Sequence, residues 1–163
     1  MEDALKDLER LETWAEALLA SLSPRERQKL LRRMGVRLRR SNSKRITRQT
    51  DANGRRWKPR KKQEGKVARK RKMLLGFRKA RHMKVKATSE SVSVGYSGNA
   101  GRIGRIHHYG LRDRLSAPKG GKGPQKGSLV KFAERKLLGL SGQDQKELGQ
   151  MILHHIDKEG LAS

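Results

Sequence analysis

The side chains best suited to chemistry in this sequence are two adjacent histidine pairs, His107-His108 and His154-His155. Neighbouring residues on a strand or a helix point in different directions, so neither pair can close around one metal ion without further ligands. The chain has no cysteine, and no carboxylate stands at a spacing that would complete a ligand set. We therefore interpret the histidines as parts of a helix face and a turn, and we predict no metal site.

Carboxylates and glycine-rich loops form no catalytic pattern either. The acidic residues in the middle of the chain are isolated from one another; they are Glu26, Asp51, Glu64, Glu90, Asp113 and Glu134. A Gly-Gly-Lys-Gly sequence lies within residues 117–128, but it lacks the Gly-x-x-x-x-Gly-Lys-Ser/Thr spacing of a nucleotide-binding loop. We therefore predict no catalytic residue, no cofactor and no enzymatic activity.

The composition favours a binding or structural protein with a small core. The 163 residues carry a net charge of +25, and only 33% of them are apolar. So large a charge repels itself in a compact domain, so we expect a polyanion, an acidic protein or an assembly to offset it. The two ends are mildly acidic, and the bases concentrate between residues 24 and 140. Without a long apolar run or a secretion signal, we expect a cytoplasmic protein with no membrane partner.

Periodic apolar residues predict a helical element over residues 1–50. The first predicted helix has one apolar stripe that includes Leu8, Leu11 and Leu18, at the alternating spacings of three and four that one helix face requires. This stripe would pack on the chain's own sheet or on another subunit. The Ser-Pro-Arg-Glu sequence at 23–26 combines an N-cap, a first-turn proline and a capping-box glutamate, which predict the start of a second helix.

The second predicted helix is strongly basic. Its basic side chains surround an apolar face on several sides; they are Arg25, Arg27, Lys29, Arg32, Arg33, Arg37, Arg39 and Arg40. Such a helix can lie along a row of phosphates. Alternatively, the bases form a solvated face whose long stems cover apolar surface. The sequence supports these two interpretations equally.

A basic arm is predicted over residues 51–72. It opens with Asp-Ala-Asn-Gly, a turn sequence because Asn-Gly favours a positive φ. The following residues are rich in charge and have little apolar periodicity, so we expect an extended arm. Trp57 would anchor this arm by filling a pocket of the domain, with stacking on a nucleobase as the less frequent alternative. The bases of this arm that could contact DNA or acidic partners are Arg55, Arg56, Lys58, Arg60, Lys61, Lys62, Arg69, Lys70, Arg71 and Lys72.

A small antiparallel sheet is predicted over residues 73–140. Residues 82–87 and 92–96 alternate between apolar and polar side chains, which predicts a hairpin with its turn at 88–90. We expect a glycine-punctuated bend after this hairpin, leading into Ile-His-His-Tyr-Gly at 106–110.

The remainder of the chain is predicted to form a loop, a strand and a last helix. Residues 117–128 are rich in glycine and lysine and should be flexible. Within this loop, further candidate contacts to DNA or acidic partners are Lys119, Lys122 and Lys126. A strand should follow within 129–140, and Ser141 with Asp144 predicts the cap of a helix over 141–160.

These elements together predict an α+β fold in a single domain over residues 1–163. An N-terminal helix pair and a C-terminal helix would pack on the small antiparallel sheet, with the basic arm and the loop extending from it.

Three segments resemble the motifs of a known family. Residues 51–59, Asp-Ala-Asn-Gly-Arg-Arg-Trp-Lys-Pro, resemble its Asp-x-x-Gly-x-x-Trp-x-Pro, and Ile-His-His-Tyr-Gly at 106–110 is similar to its Ile-His-Gln-Phe-Gly. Residues 135–141, Arg-Lys-Leu-Leu-Gly-Leu-Ser, resemble its Arg-Pro-Phe-Leu-Gly-Leu-Ser, with Lys136 replacing the proline and Leu137 the aromatic residue. With these motifs in the same order and at similar spacing, the sequence resembles the phage virion morphogenesis family.

The resemblance implies a non-enzymatic structural protein of a contractile-tailed phage. Such a protein completes the tail and helps to form the head-to-tail joint, or neck. Related neck and tail-end proteins form rings, often of six subunits. The implied partners are therefore further copies of the chain, tail tube, sheath or connector proteins, and DNA in the channel. The implied location is the virion, after assembly in the host cytoplasm. The residues expected to pack within or between subunits are Leu8, Leu11, Leu18, Trp57, Tyr109, Leu138 and Leu140.

A ribosomal-type RNA-binding protein is the alternative, because high charge, basic arms and a small core are equally typical of that class. Against it, the sequence lacks the aromatic platform with which RNA modules read bases, and its acidic amphipathic ends suit protein contacts better. We therefore favour the structural phage protein.

Overall fold

The computed structural model describes residues 22–59, 72–114 and 127–160, together with Ala20. Leu8, Leu11 and Leu18 of the first predicted helix, residues 60–71 of the predicted arm and most of the predicted loop lie outside these residues. In chain order the elements are α1 (Pro24–Arg48), a 3-10 helix (Leu75–Arg78), β1 (Met83–Ala87), β2 (Val92–Tyr96), α2 (Gly98–Tyr109), β3 (Arg112–Arg114), β4 (Leu129–Lys131) and α3 (Gly142–Gly160). The described part of the chain confirms the predicted α+β class.

Helix α1 begins where its capping signals predicted. The Ser23 hydroxyl accepts a hydrogen bond from the Glu26 amide at 3.3 Å, and the Glu26 carboxylate accepts one from the Ser23 amide at 2.8 Å. This capping box satisfies backbone groups that the first turn of a helix leaves unpaired.

The predicted hairpin is also confirmed, and α1 lies directly on it. Strands β1 and β2 pair antiparallel, with Met83 opposite Tyr96. A Cβ atom on Gly35 of α1 would lie 2.5 Å from Cγ1 of Val85 and 2.6 Å from Cγ2 of Val92. Only a residue without a side chain allows this approach of helix to hairpin.

The core is small and combines distant parts of the chain. Ile46 of α1, Trp57, Met83 of β1 and Leu137 form one buried cluster. Partly buried apolar side chains cover this cluster; they are Leu74, Phe77, Val94, Tyr96 and Leu138. The ring of Trp57 is thus part of the internal packing and does not face solvent.

The segment after β2 corrects one expectation. The predicted glycine-punctuated bend is wrong, because residues from Gly98 onward form the helix α2. Two glycines let this helix lie against β2: a Cβ atom on Gly101 would be 3.1 Å from the Tyr96 carbonyl oxygen, and one on Gly104 would be 3.1 Å from its ring. The glycines therefore serve close packing rather than a turn.

The arrangement of strands and of the last helix also differs from the expectation of one sheet. The described strands form two separate antiparallel pairs, β1 with β2 and β3 with β4. Helix α3 packs mainly on α1 and not on a sheet. None of the described helices combines the length and the apolar character needed to cross a membrane.

Candidate functional site: the junction of three motifs

The structure brings the three motifs together in one place, which we call the motif junction and define as residues 51–59, 106–110 and 135–141. Two hydrogen bonds join the second motif to the third. The Arg135 amide donates to the His107 carbonyl at 2.7 Å, and the Leu137 amide donates to Nδ1 of His108 at 3.2 Å. The histidine pair therefore positions the chain that leads into α3.

Arg135 also joins the third motif to the first. Its side chain is only 5% exposed. Its Nε donates to the carbonyl of Lys58 at 3.0 Å, and its Nη2 donates to the carbonyl of Pro59 at 3.2 Å. Burial lowers the pKa of Arg135. The planar guanidinium thus holds the backbone just before residues 60–71, the rest of the predicted arm.

The first motif is a tight turn that delivers Trp57 to the core. Oδ1 of Asp51 accepts hydrogen bonds from the amides of Asn53 and Arg55, both at 2.9 Å. Gly54 has a φ of 80°, which lies in the left-handed region that favours glycine. In this motif the aspartate accepts the hydrogen bonds of the turn, the glycine adopts the left-handed backbone conformation, and the tryptophan packs into the core.

The two histidines of the second motif are largely removed from solvent and are uncharged near pH 7. The His107 ring is 8% exposed and lies edge-on to Phe132, with ring centroids 5.0 Å apart. Burial, together with the charge of Arg135, lowers the pKa of His107. Burial likewise lowers the pKa of His108, so its neutral ring can accept the hydrogen bond from Leu137. Among the described residues no group of three or more potential ligands could hold a metal ion.

A buried polar cluster connects the junction to α1. Oδ1 of Asn42 accepts from the Gly139 amide at 2.9 Å and from Nη2 of Arg45 at 2.8 Å. Arg45 in turn donates to the Gly139 carbonyl and to Oδ2 of Asp144, both at 2.6 Å. Burial alone would raise the pKa of Asp144, but hydrogen bonds from Ser41, Ser141 and Arg45 hold it well below its usual range.

The sequence reasoning did not single out Asn42 and Arg45. The spacing in the sequence could have indicated that Asn42 is buried. It stands seven residues after Gly35 and four before Ile46, on the buried face of α1. A short polar side chain on such a face must find partners, and here the partners come from the third motif.

The residues predicted to make packing contacts divide between the core and the surface. Trp57 is buried, and Leu138 packs against the core cluster. Tyr109 and Leu140, in contrast, are 64% and 46% exposed. These two residues belong to the motif junction, but their side chains do not pack into the core of their own chain.

The predicted charged contacts are only partly described by the structure. Arg55, Arg56, Lys58 and Lys72 are exposed, and Nζ of Lys72 donates to the Thr47 carbonyl at 2.8 Å. The others lie outside the described residues; they are Arg60, Lys61, Lys62, Arg69, Lys70, Arg71, Lys119, Lys122 and Lys126.

The hydrogen bonds of the junction join backbone segments that are distant in the sequence. The model of the phage virion morphogenesis family matches residues 6–157, and the chain belongs to this family. It is similar to the tail completion protein S of Escherichia phage P2, with 28% identity over 160 residues that cover 94% of this chain and 100% of that protein. No solved structure matches the chain significantly.

Proposed function

We propose that this chain is a structural subunit that completes a phage tail and helps to form the tail's connection to the head. The likeness to tail completion protein S along that protein's entire length supports this proposal most directly. The motif junction supports it further, because its polar groups hold distant segments together, as a subunit that acts by assembly requires. Family membership thus favours this function over a ribosomal-type RNA-binding protein.

In this proposal the chain forms a homo-oligomeric ring of six copies around the DNA channel of a contractile tail, next to tube, sheath or connector proteins. The exposed apolar side chains of Tyr109 and Leu140 support the proposed subunit contacts, because such residues are enriched in protein interfaces. The basic arm would face DNA or acidic neighbours. The ring forms in the host cytoplasm and remains in the virion.

Deleting the gene from its phage tests the proposed function. We expect electron micrographs of lysates to show heads and tails that fail to join, and wild-type protein supplied from a plasmid should restore joined particles. A Tyr109→Ser/Leu140→Ser variant should restore few of them, whereas Gln150→Ser, which changes an exposed polar residue on α3, should restore them as the wild type does. Joined, infectious particles from the deletion phage would refute the proposal.

Light scattering on the nuclease-treated protein tests the ring. A discrete multimer that persists at high salt is expected, because apolar contacts survive the screening of charges. A monomer that purifies with RNA and releases it as salt rises would instead favour the RNA-binding alternative.

A further inference from the structure

Helix α1 has two kinds of basic residues. Arg37 forms an ion pair with Glu147, and Arg45 forms one with Asp144. Both acidic partners belong to α3, so these two arginines join the helices and are not free to bind anything else. The side of α1 that faces α3 is therefore structural.

Other bases lie on the solvent-exposed side of α1, next to the side that faces α3, and we call them the α1 stripe: Arg25, Lys29, Arg33, Arg40 and Lys44. Their spacings of four, four, seven and four residues place them on one side of the helix. All five are exposed. With a rise of about 1.5 Å per residue, the stripe is about 28 Å long.

The segment before β1 extends the positive surface beside the C-terminal half of the stripe. Nη1 of Arg78 donates to Oγ1 of Thr47 at 3.2 Å, and the Arg78 carbonyl accepts from the Ser43 hydroxyl at 3.2 Å. Arg78 and its neighbour Lys79 are both exposed. Bases from two elements thus share one surface.

The composition of this surface identifies its partner. Protein interfaces are built on apolar and aromatic anchors, and single-stranded nucleic acid is bound on aromatic platforms. Within the arc of α1 that carries the stripe, Val36 is the one large apolar side chain, and it is half-buried. A row of cations without such anchors fits the phosphate backbone of a duplex, which carries one charge per about 1.7 Å of its axis.

We infer that the α1 stripe binds the phosphate backbone of double-stranded DNA without reading its sequence. Bases on a surface of this kind contact phosphates and fix position, whereas sequence is read by contacts to base edges. This inference names a DNA-facing surface of the proposed ring, and it depends on the proposed function only for where the DNA lies in the particle. The binding itself is a property of the purified chain.

Fluorescence anisotropy of labelled duplexes with the full chain tests the inference. The test variant is Arg33→Gln/Arg40→Gln/Lys44→Gln. The control, Arg105→Gln/Arg112→Gln/Lys131→Gln, removes the same three charges from exposed positions on α2, β3 and β4. Glutamine has nearly the helix propensity of arginine and lysine, and circular dichroism verifies that both proteins are folded.

The wild-type chain should bind two duplexes of unrelated sequence equally well, with affinity falling steeply between about 50 and 200 mM salt. The test variant should bind at least about tenfold more weakly at low salt, and its log–log salt slope should be smaller by about three, one for each lost phosphate contact. The control should lose less than about threefold. A second variant, Arg33→Lys/Arg40→Lys, keeps the charges and should bind nearly as the wild type does.

Three results would overturn the inference. Equal losses in the test and control variants would show that net charge alone drives the binding. Tighter binding to single-stranded DNA than to the duplex would show a different ligand, and no binding at low salt would show that the stripe is a solvated face. None of these results would change the outcome of the gene deletion, so the inference and the proposed function can fail separately.

Discussion

The backbone amide of Gly139 donates a hydrogen bond to the side-chain oxygen of Asn42, which lies 97 residues earlier in the chain, at 2.9 Å. Gly139 also contacts Ala52, because a Cβ atom on this glycine would lie 2.7 Å from the alanine Cβ. One small residue of the third motif thus contacts both α1 and the turn of the first motif. The arrangement of α1, the first motif and the third motif therefore depends on a few buried hydrogen bonds and on backbone contacts that only small residues allow.

Asn42→Ala should destabilise the chain by about 2–4 kcal/mol, since it leaves the Gly139 amide and part of the Arg45 guanidinium buried without their acceptor. Urea unfolding followed by circular dichroism measures the loss. Ser43→Ala, one position further along α1, removes a hydrogen bond that is exposed and serves as the control. A loss for Asn42→Ala no larger than the control's would show that water replaces the missing oxygen.

Gly35→Ala should destabilise the chain by about 1–3 kcal/mol through overpacking against the hairpin, even though alanine favours helices over glycine by about 1 kcal/mol. Gly149→Ala in α3 is the matched control, because a Cβ atom there would meet nothing within 4 Å. The control should stabilise the chain. Adding Val85→Ala to Gly35→Ala should recover part of the loss; a stabilising Gly35→Ala would mean that helix and hairpin separate readily.

Stability should fall as the pH falls below the ordinary histidine pKa of 6.5. Because burial lowers the pKa of His107, the unfolded chain takes up a proton in this range before the folded chain does, and protonation then favours unfolding. Asp144 does not contribute here, since its lowered pKa affects stability only below its ordinary value of 3.8. Urea unfolding between about pH 5 and pH 7 measures the slope.

His107→Gln should make this pH dependence shallower. Gln150→Ala changes an exposed side chain on α3 that does not titrate and should leave the slope as it is in the wild type. An unchanged slope in His107→Gln would assign the pH dependence to other groups, with His108 the first to test.

Trp57→Ala should cost about 3–5 kcal/mol, because it opens a cavity among Ile46, Met83 and Leu137. Trp57→Phe should cost less, since the phenyl ring fills part of the space. Arg56→Ala, at the exposed position before it, should stay within about 0.5 kcal/mol of the wild type. Thermal unfolding ranks the three variants; a small loss for Trp57→Ala would show that the indole is not a core anchor.

The sequence allowed the helix starts and the hairpin to be predicted because both depend on local chemistry. Ser23 with Glu26, and Ser141 with Asp144, satisfy backbone groups within their own first turn. The hairpin follows from alternation of side chains along each strand. These signals need no information from distant parts of the chain.

Helix α2 and the polar cluster escaped prediction because distant contacts determine them. Glycine is unfavourable inside a helix, so Gly101 and Gly104 favoured the prediction of a bend. In the structure both glycines lie in a helix, because Tyr96 occupies the space that their side chains would need. Asn42 likewise gives no local sign that its partner is Gly139. The motif resemblance indicated the family, yet nothing in the sequence alone showed that the three segments meet.

The burial of Leu137 against Ile46 and Met83 affects the timing of folding during synthesis. The ribosome synthesises α1 and the hairpin well before residue 137, so their apolar faces lack this cover in the nascent chain. Contacts between residues so far apart in sequence form slowly, because closing the long loop between them costs entropy. A chain that terminates before residue 137 would leave this apolar surface exposed to chaperones and proteases.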